Sequence, residues 1–219
     1  MRSTRLLVLL AALSLSAPLS AQTDGTCIPV AERNGRRLGC FITARHELGP
    51  LQGTPPLYWH IDSYRTRVRA ERARGRNSRS TVVVSLGKVW LFTIAPREYR
   101  ARSATHVARV GPLPLVDAKE FAAVYMEGVF EPGMHSMVHR HPGAEAWLTL
   151  EGSQCLETPE GKQVHGAGDP GLIVRGGLPM QLTGTGTGVR RSLVLILQDA
   201  TLPRSTPATD WTPRNLCHS

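Results

Sequence analysis

The stretch Gly133-Met134-His135-Ser136-Met137-Val138-His139-Arg140-His141-Pro142-Gly143-Ala144-Glu145-Ala146-Trp147-Leu148-Thr149-Leu150-Glu151-Gly152 decides how this sequence is read. Side chains two apart on a strand share a face, so His139 and His141 project two imidazoles into one volume. Pro142-Gly143 signals a reversal, and a reversal there returns Glu145 beside the pair. Two imidazoles and one carboxylate suit a borderline divalent cation, with positions left open for water or a small ligand. Gly133 and Gly152 stand where the chain must turn sharply, which is the conformational use of glycine.

The segments around this stretch read as strands separated by turns. Val124–Phe130 alternates as a half-buried strand does, and Ala146–Leu150 is a strand closed by Glu151-Gly152. Pro159-Glu160-Gly161-Lys162 is a hairpin turn. Leu172–Val174 runs into the bend Gly176-Gly177, and Gln181-Leu182 and Leu193–Leu197 flank the Thr/Gly turn near 183–188. Six or so short strands at this spacing, with no helical periodicity between them, argue a sandwich or barrel. Composition agrees. Of 219 residues, 41% are hydrophobic and 20% charged, and 21 Gly and 16 Pro supply turns. These values exclude collagen-like, coiled-coil, multi-span membrane and wholly disordered classes.

The spacing from Gly133 through His139, His141 and Glu145 to Gly152 resembles the first motif of the cupin superfamily. The resemblance covers about residues 115–200 and implies a mainly β fold there, a double-stranded β-helix or jelly-roll barrel. It also implies a metal held inside by the motif residues. The family's second motif ends in a Gly-x-Pro-His turn. Here Gly177 and Pro179 match, Arg175 stands where a proline is usual, and Met180 occupies the place of the ligand histidine. The implied ligands are therefore His139, His141 and Glu145. Met180 has two readings, a core residue filling an irregular gap or a weak thioether ligand that shifts preference toward copper. His135 shares strand parity with His139, and His165 lies near a turn; both are expected to be ordinary polar histidines. Two His and one carboxylate suit Fe(II), but in an oxidising compartment Zn, Mn and Cu compete. Cupin-like barrels often pair, so a homodimer is a further implication.

The first residues read as an address. Met1–Arg5 is short and basic, and Leu6–Ala17 is apolar but too brief for the roughly 20 residues of a membrane span. Residues 1–21 are expected to be a signal peptide cleaved after Ala21, so the protein is exported, periplasmic or secreted. Cys27, Cys40, Cys155 and Cys217 fit an oxidising compartment. Of their three pairings, Cys27–Cys40 and Cys155–Cys217 are expected, one closing a small loop and the other pinning a tail over residues 201–219.

Residues 22–114 are expected as an N-terminal extension of mixed α+β character, with a break near Pro112 and Pro114. It includes strand candidates at 40–44, 57–61, 81–85 and 89–94 and a basic helix near 65–76. That segment explains the charge. Of the formal +9, residues 65–79 hold seven Arg against Glu71, and the body is nearly neutral. Without interleaved stacking aromatics the arginines read as a solvated face, so no nucleic acid is expected. Gly184–Gly188 lacks the Lys and the strand-to-helix setting of a phosphate loop, and no Gly-x-Ser-x-Gly elbow is present. Two functional expectations stand. The first is an exported barrel with a divalent metal on His139, His141 and Glu145. The other is a metal-free barrel that is structural or takes a small molecule through an apolar lining that includes Trp147 and Met180.

Overall fold

A computed structural model describes residues 27–217, so the leader expected over residues 1–21 lies outside the described residues. In chain order the elements are β1 (Ile28–Pro29), β2 (Gly39–Gly49), β3 (Leu57–Tyr64), α1 (Arg67–Arg74), β4 (Ser80–Ser85), β5 (Lys88–Pro96) and β6 (Thr105–Val110). They continue with β7 (Phe121–Phe130), β8 (His139–Arg140), β9 (Ala144–Glu151), β10 (Ser153–Thr158) and β11 (Gly161–Gly166). The last are β12 (Leu172–Val174), β13 (Gln181–Thr185), β14 (Arg190–Asp199) and β15 (Thr206–Pro207).

β14 is the pivot, pairing antiparallel with β7 on one side and β9 on the other. The sheet built on it has the order β1-β2-β7-β14-β9-β12, and a three-stranded sheet β11-β10-β13 faces it. Strand periodicity sorts the side chains of the larger sheet into two cores. Val124, Met126, Phe130, Trp147, Val194 and Ile196 join Leu156, Leu172, Met180 and Leu182 in the barrel interior. The alternate residues, among them Ala123, Tyr125, Leu148, Leu193 and Leu195, pack outward against Trp59, Ile61, Trp90 and Phe92. Those partners belong to the separate sheet β4-β5-β3-β6. The Phe92 ring lies 5.3 Å from that of Trp59 and 4.9 Å from that of Tyr125, which joins the layers. Coverage on both faces explains why β7 is buried at all ten positions. Its sequence reads as a nearly continuous apolar run for the same reason.

Residues 27–114 therefore divide between two sheets. β2 pairs antiparallel with β7 from Gly39↔Val129 to Gly49↔Phe121, so it completes the barrel's larger sheet instead of standing apart in an extension. Without it, the β7 edge would expose a row of unpaired N–H and C=O groups. Glu127 locks the junction. Its buried carboxylate accepts from Arg33 at 2.5 Å, Ser85 Oγ at 2.7 Å and the Leu86 amide at 2.9 Å.

The basic helix forms as Arg67–Arg74. Thr66 caps it by accepting from the Arg69 amide, and Gly75 ends it at φ +52°. Only Ala70 is buried, against Tyr64 and Leu91, so the guanidinium groups stay in solvent or pair with Glu71. Both expected disulfides form, Cys27–Cys40 and Cys155–Cys217. Glu157 docks the tail by accepting from the Arg214 and Leu216 amides at 2.5 and 2.9 Å. Among the described residues no helix is long and apolar enough to cross a membrane.

Candidate metal centre

His139 lies on β8, a two-residue strand that the tail strand β15 covers. Across from it stands Met180, with reciprocal backbone bonds of 3.1 Å (His139 N to Met180 O) and 2.8 Å (Met180 N to His139 O). Such a reciprocal pair places the two residues directly opposite each other. Met180 thus stands across the strand pair from His139.

The bend at Pro142-Gly143 then delivers Glu145 on β9. It works because Gly143 has no side chain: a Cβ there would lie 2.0 Å from the Leu197 carbonyl oxygen of β14. Gly176 packs against the same backbone, where its own Cβ would lie 2.9 Å from Gly143 Cα. Three backbones meet at a distance that only glycine permits, and this fixes where β9 starts.

His139, His141 and Glu145 converge, each offering a ligand atom within 4.8 Å of the others. The two imidazole centroids are 4.8 Å apart, edge to face. His141 and Glu145 are buried and His139 is half-buried. In each ring Nδ1 lies against a backbone carbonyl, His139 with Met137 O at 2.7 Å and His141 with Arg204 O at 2.6 Å. A carbonyl only accepts, so Nδ1 carries the proton and Nε2 keeps its lone pair. That is the orientation a metal-ligating histidine takes from the groups behind it. His141 Nε2 and Glu145 Oε2 come within 2.9 Å but are misaligned for a hydrogen bond, and both are buried without a hydrogen-bond partner. Three ligand atoms gathered this closely, two of them buried with no hydrogen-bond partner, fit a cation.

The electrostatics agree. Burial pushes the His139 imidazole below its ordinary value, and the neighbouring His141 adds to that. Burial pulls hardest on His141, but the Glu145 carboxylate and the Arg204 carbonyl together outweigh it and hold this imidazole above its usual range.

Of the other sequence candidates, His135 lies against Gln181 at 3.2 Å and His165 against the Pro170 carbonyl at 3.1 Å; neither joins the cluster. Met180 is buried at the wall of the same cavity. The cavity holds about 90 Å³, and Met126, Phe130, Trp147, Leu182 and Val194 give it apolar walls.

One residue of the site escaped the sequence reading. Arg190, at the start of β14, lines the cavity and is almost wholly buried. Burial pushes its guanidinium down to about 9, against the opposing pull of Glu145. The available signal was parity. Arg190, Ser192, Val194 and Ile196 share one face, but the strand was read as starting at Leu193.

No protein-family model matches this sequence, and no curated protein does. Among solved structures, a cupin-like protein from Thermotoga maritima is similar at 17% identity and a TM-score of 0.35, over 39% of this chain and 64% of that one. A conserved protein with a double-stranded β-helix domain from Klebsiella pneumoniae is similar at 15% identity and a TM-score of 0.35, over 44% and 75%. Oxalate decarboxylase from Bacillus subtilis is similar at 26% identity and a TM-score of 0.32, over 42% and 24%. The chain thus spans less than two thirds of the first of these proteins and about a quarter of the last. The mainly β jelly-roll barrel expected from the sequence is present, and it is read here from strand pairing and the barrel interior.

Proposed function

We propose that this protein holds a divalent metal ion inside the barrel through His139, His141 and Glu145 and presents it to a small molecule in the adjoining cavity. The observation that carries the reading is the orphaned pair His141 Nε2 and Glu145 Oε2, buried 2.9 Å apart without a hydrogen bond between them. Burying such groups without a hydrogen bond is costly, and a shared cation relieves both. When bound, a divalent ion would act as a Lewis acid toward an oxygen of the small molecule. The protein residues orient the donors, exclude bulk water and supply the apolar walls. Three protein ligands leave coordination positions open, as reactive metal sites require. The donor set admits Zn, Mn, Fe or Cu.

Titration of chelator-stripped protein with Co(II) tests this reading. The expected result is a visible absorption band that saturates at one ion per chain and is lost in the His139→Ala, His141→Ala double variant. No saturable band in the wild type would overturn it.

A second reading, a barrel that takes a small molecule without metal, is favoured by one observation. Met180 stands at the position opposite His139 where a further imidazole would complete the set, and the walls beyond it are apolar. Metal-free protein whose stability does not respond to added ions would select it.

We also propose export. The support is the basic-then-apolar leader over residues 1–21 and two disulfides in the mature chain. Amino-terminal sequencing of protein from the extracytoplasmic fraction should begin at Gln22. A chain starting at Met1 in the cytoplasm would refute export.

A further inference from the structure

We infer that the barrel cavity takes a small organic carboxylate and that Arg190 is the residue that grips it. This deepens the metal-site reading by naming the ligand class of the same cavity. Arg190 lines that cavity with Glu145 and His141, and the rest of the barrel makes room for it. Gly128 sits on the neighbouring strand β7, opposite Ser192. A Cβ on Gly128 would come within 3.0 Å of Arg190 Nη1. The Phe130 ring lies 5.1 Å from the guanidinium carbon. Arg190 Nη2 donates to Ser192 Oγ at 2.5 Å, and Nε is buried without a partner. Among the described residues Arg190 forms no ion pair. A structural arginine at this depth is normally matched by a carboxylate in contact. Here a neutral hydroxyl orients the fork and leaves donors unused.

Charge supports the same ligand. Arg36, Arg190 and Arg204 all border the cavity, and among the described residues Glu145 is the one carboxylate that lines it. Three guanidinium groups against one carboxylate leave the cavity with a positive surplus, which a divalent ion would increase. A carboxylate offsets that surplus, and its two oxygens match the planar guanidinium fork. The walls discriminate between anion classes. Met126, Trp147, Leu182 and Val194 face the space beside the cation. They favour an anion with a short apolar body over phosphate or sulfate, which would leave that surface facing water.

The test is calorimetric titration of the full mature chain, as purified, with butyrate. Butyramide serves as the uncharged isostere, inorganic phosphate as the alternative anion, and metal content is measured on every sample. We expect butyrate to bind, butyramide and phosphate to bind at least about tenfold more weakly, and Arg190→Gln to weaken butyrate by about tenfold or more at unchanged metal content. Should Arg190→Gln not fold, Arg190→Lys replaces it; keeping the charge while losing the fork, it should still weaken butyrate several-fold. Equal butyrate binding in wild type and variant, no butyrate binding to the wild type, or phosphate binding as tightly as butyrate would overturn the inference. A wild type without metal whose butyrate binding still depends on Arg190 would refute the metal reading and support this one.

Discussion

His141 Nε2 and Glu145 Oε2 stand 2.9 Å apart inside the barrel, and neither makes a hydrogen bond. The His141 ring is held from behind through Nδ1 and Glu145 is placed by its strand pairing with Ile196, so the spacing of the pair is built into the fold. It is set by the Pro142-Gly143 bend and by the carbonyl of Arg204, which receives the His141 Nδ1 proton.

The pair makes stability pH-dependent in opposite directions with and without metal. His141 is held above its ordinary 6.5 by Glu145 despite burial. A raised folded-state value means that the folded protein binds the proton more tightly. The stabilisation is therefore full below about 6.5 and is lost as pH rises through the folded value. In chelator-stripped protein, the melting-temperature advantage of wild type over Glu145→Gln should shrink between pH 5.5 and 8. With metal present the trend reverses, because the ion must displace that proton. A pH-independent difference in the stripped protein would contradict the assignment.

Met180→His should tighten zinc by about tenfold or more, since an imidazole opposite His139 adds a fourth ligand to the set. Competition with a chromophoric chelator reads the change. Unaltered affinity in a folded variant would mean that the Met180 side chain does not reach the donors.

The two motif glycines should differ in cost. Gly133 has φ +84° with open space around it, so Gly133→Ala carries backbone strain alone, about 1 kcal/mol. Gly152 has φ +66°, and its Cβ would lie 2.8 Å from the Val189 carbonyl oxygen and 2.9 Å from Arg190 Cα. Gly152→Ala should therefore cost about 2–4 kcal/mol. Equal midpoints of denaturant unfolding for the two variants would refute the close packing at the β14 entrance.

Removing the Cys155–Cys217 bridge, which closes a separation of 62 residues, should cost about 4 kcal/mol in the chain-entropy model. The Glu157 contacts to Arg214 and Leu216 should open with it, because the bridge holds the tail over that carboxylate. Amide hydrogen exchange on the Cys155→Ser, Cys217→Ser variant checks this. Retained protection at Leu216 would show that the tail docks unaided.

The sequence was most legible where local geometry decides the outcome. His139, His141, Glu145 and the bend between them depend on strand alternation and one turn, and the resemblance aligned Met180 opposite them. Both disulfides were also readable, since two pairings close sensible loops. What the sequence hid was non-local. Nothing in Gly39–Gly49 announces pairing with a strand some 80 residues later, so its sequence reads as part of an extension. Arg190 went unnoticed for a related reason. A charged residue at a strand end reads as solvent-facing unless the strand is extended to include it, and its burial depends on Gly128, a distant residue whose missing side chain makes the space.

The most direct test is the metal content of the mature chain expressed and purified without added metal or chelator. Elemental analysis should find close to one divalent ion per wild-type chain and almost none in the His139→Ala, His141→Ala variant. Wild-type protein that is folded, monodisperse and free of metal, and that takes up none on addition, would contradict the account.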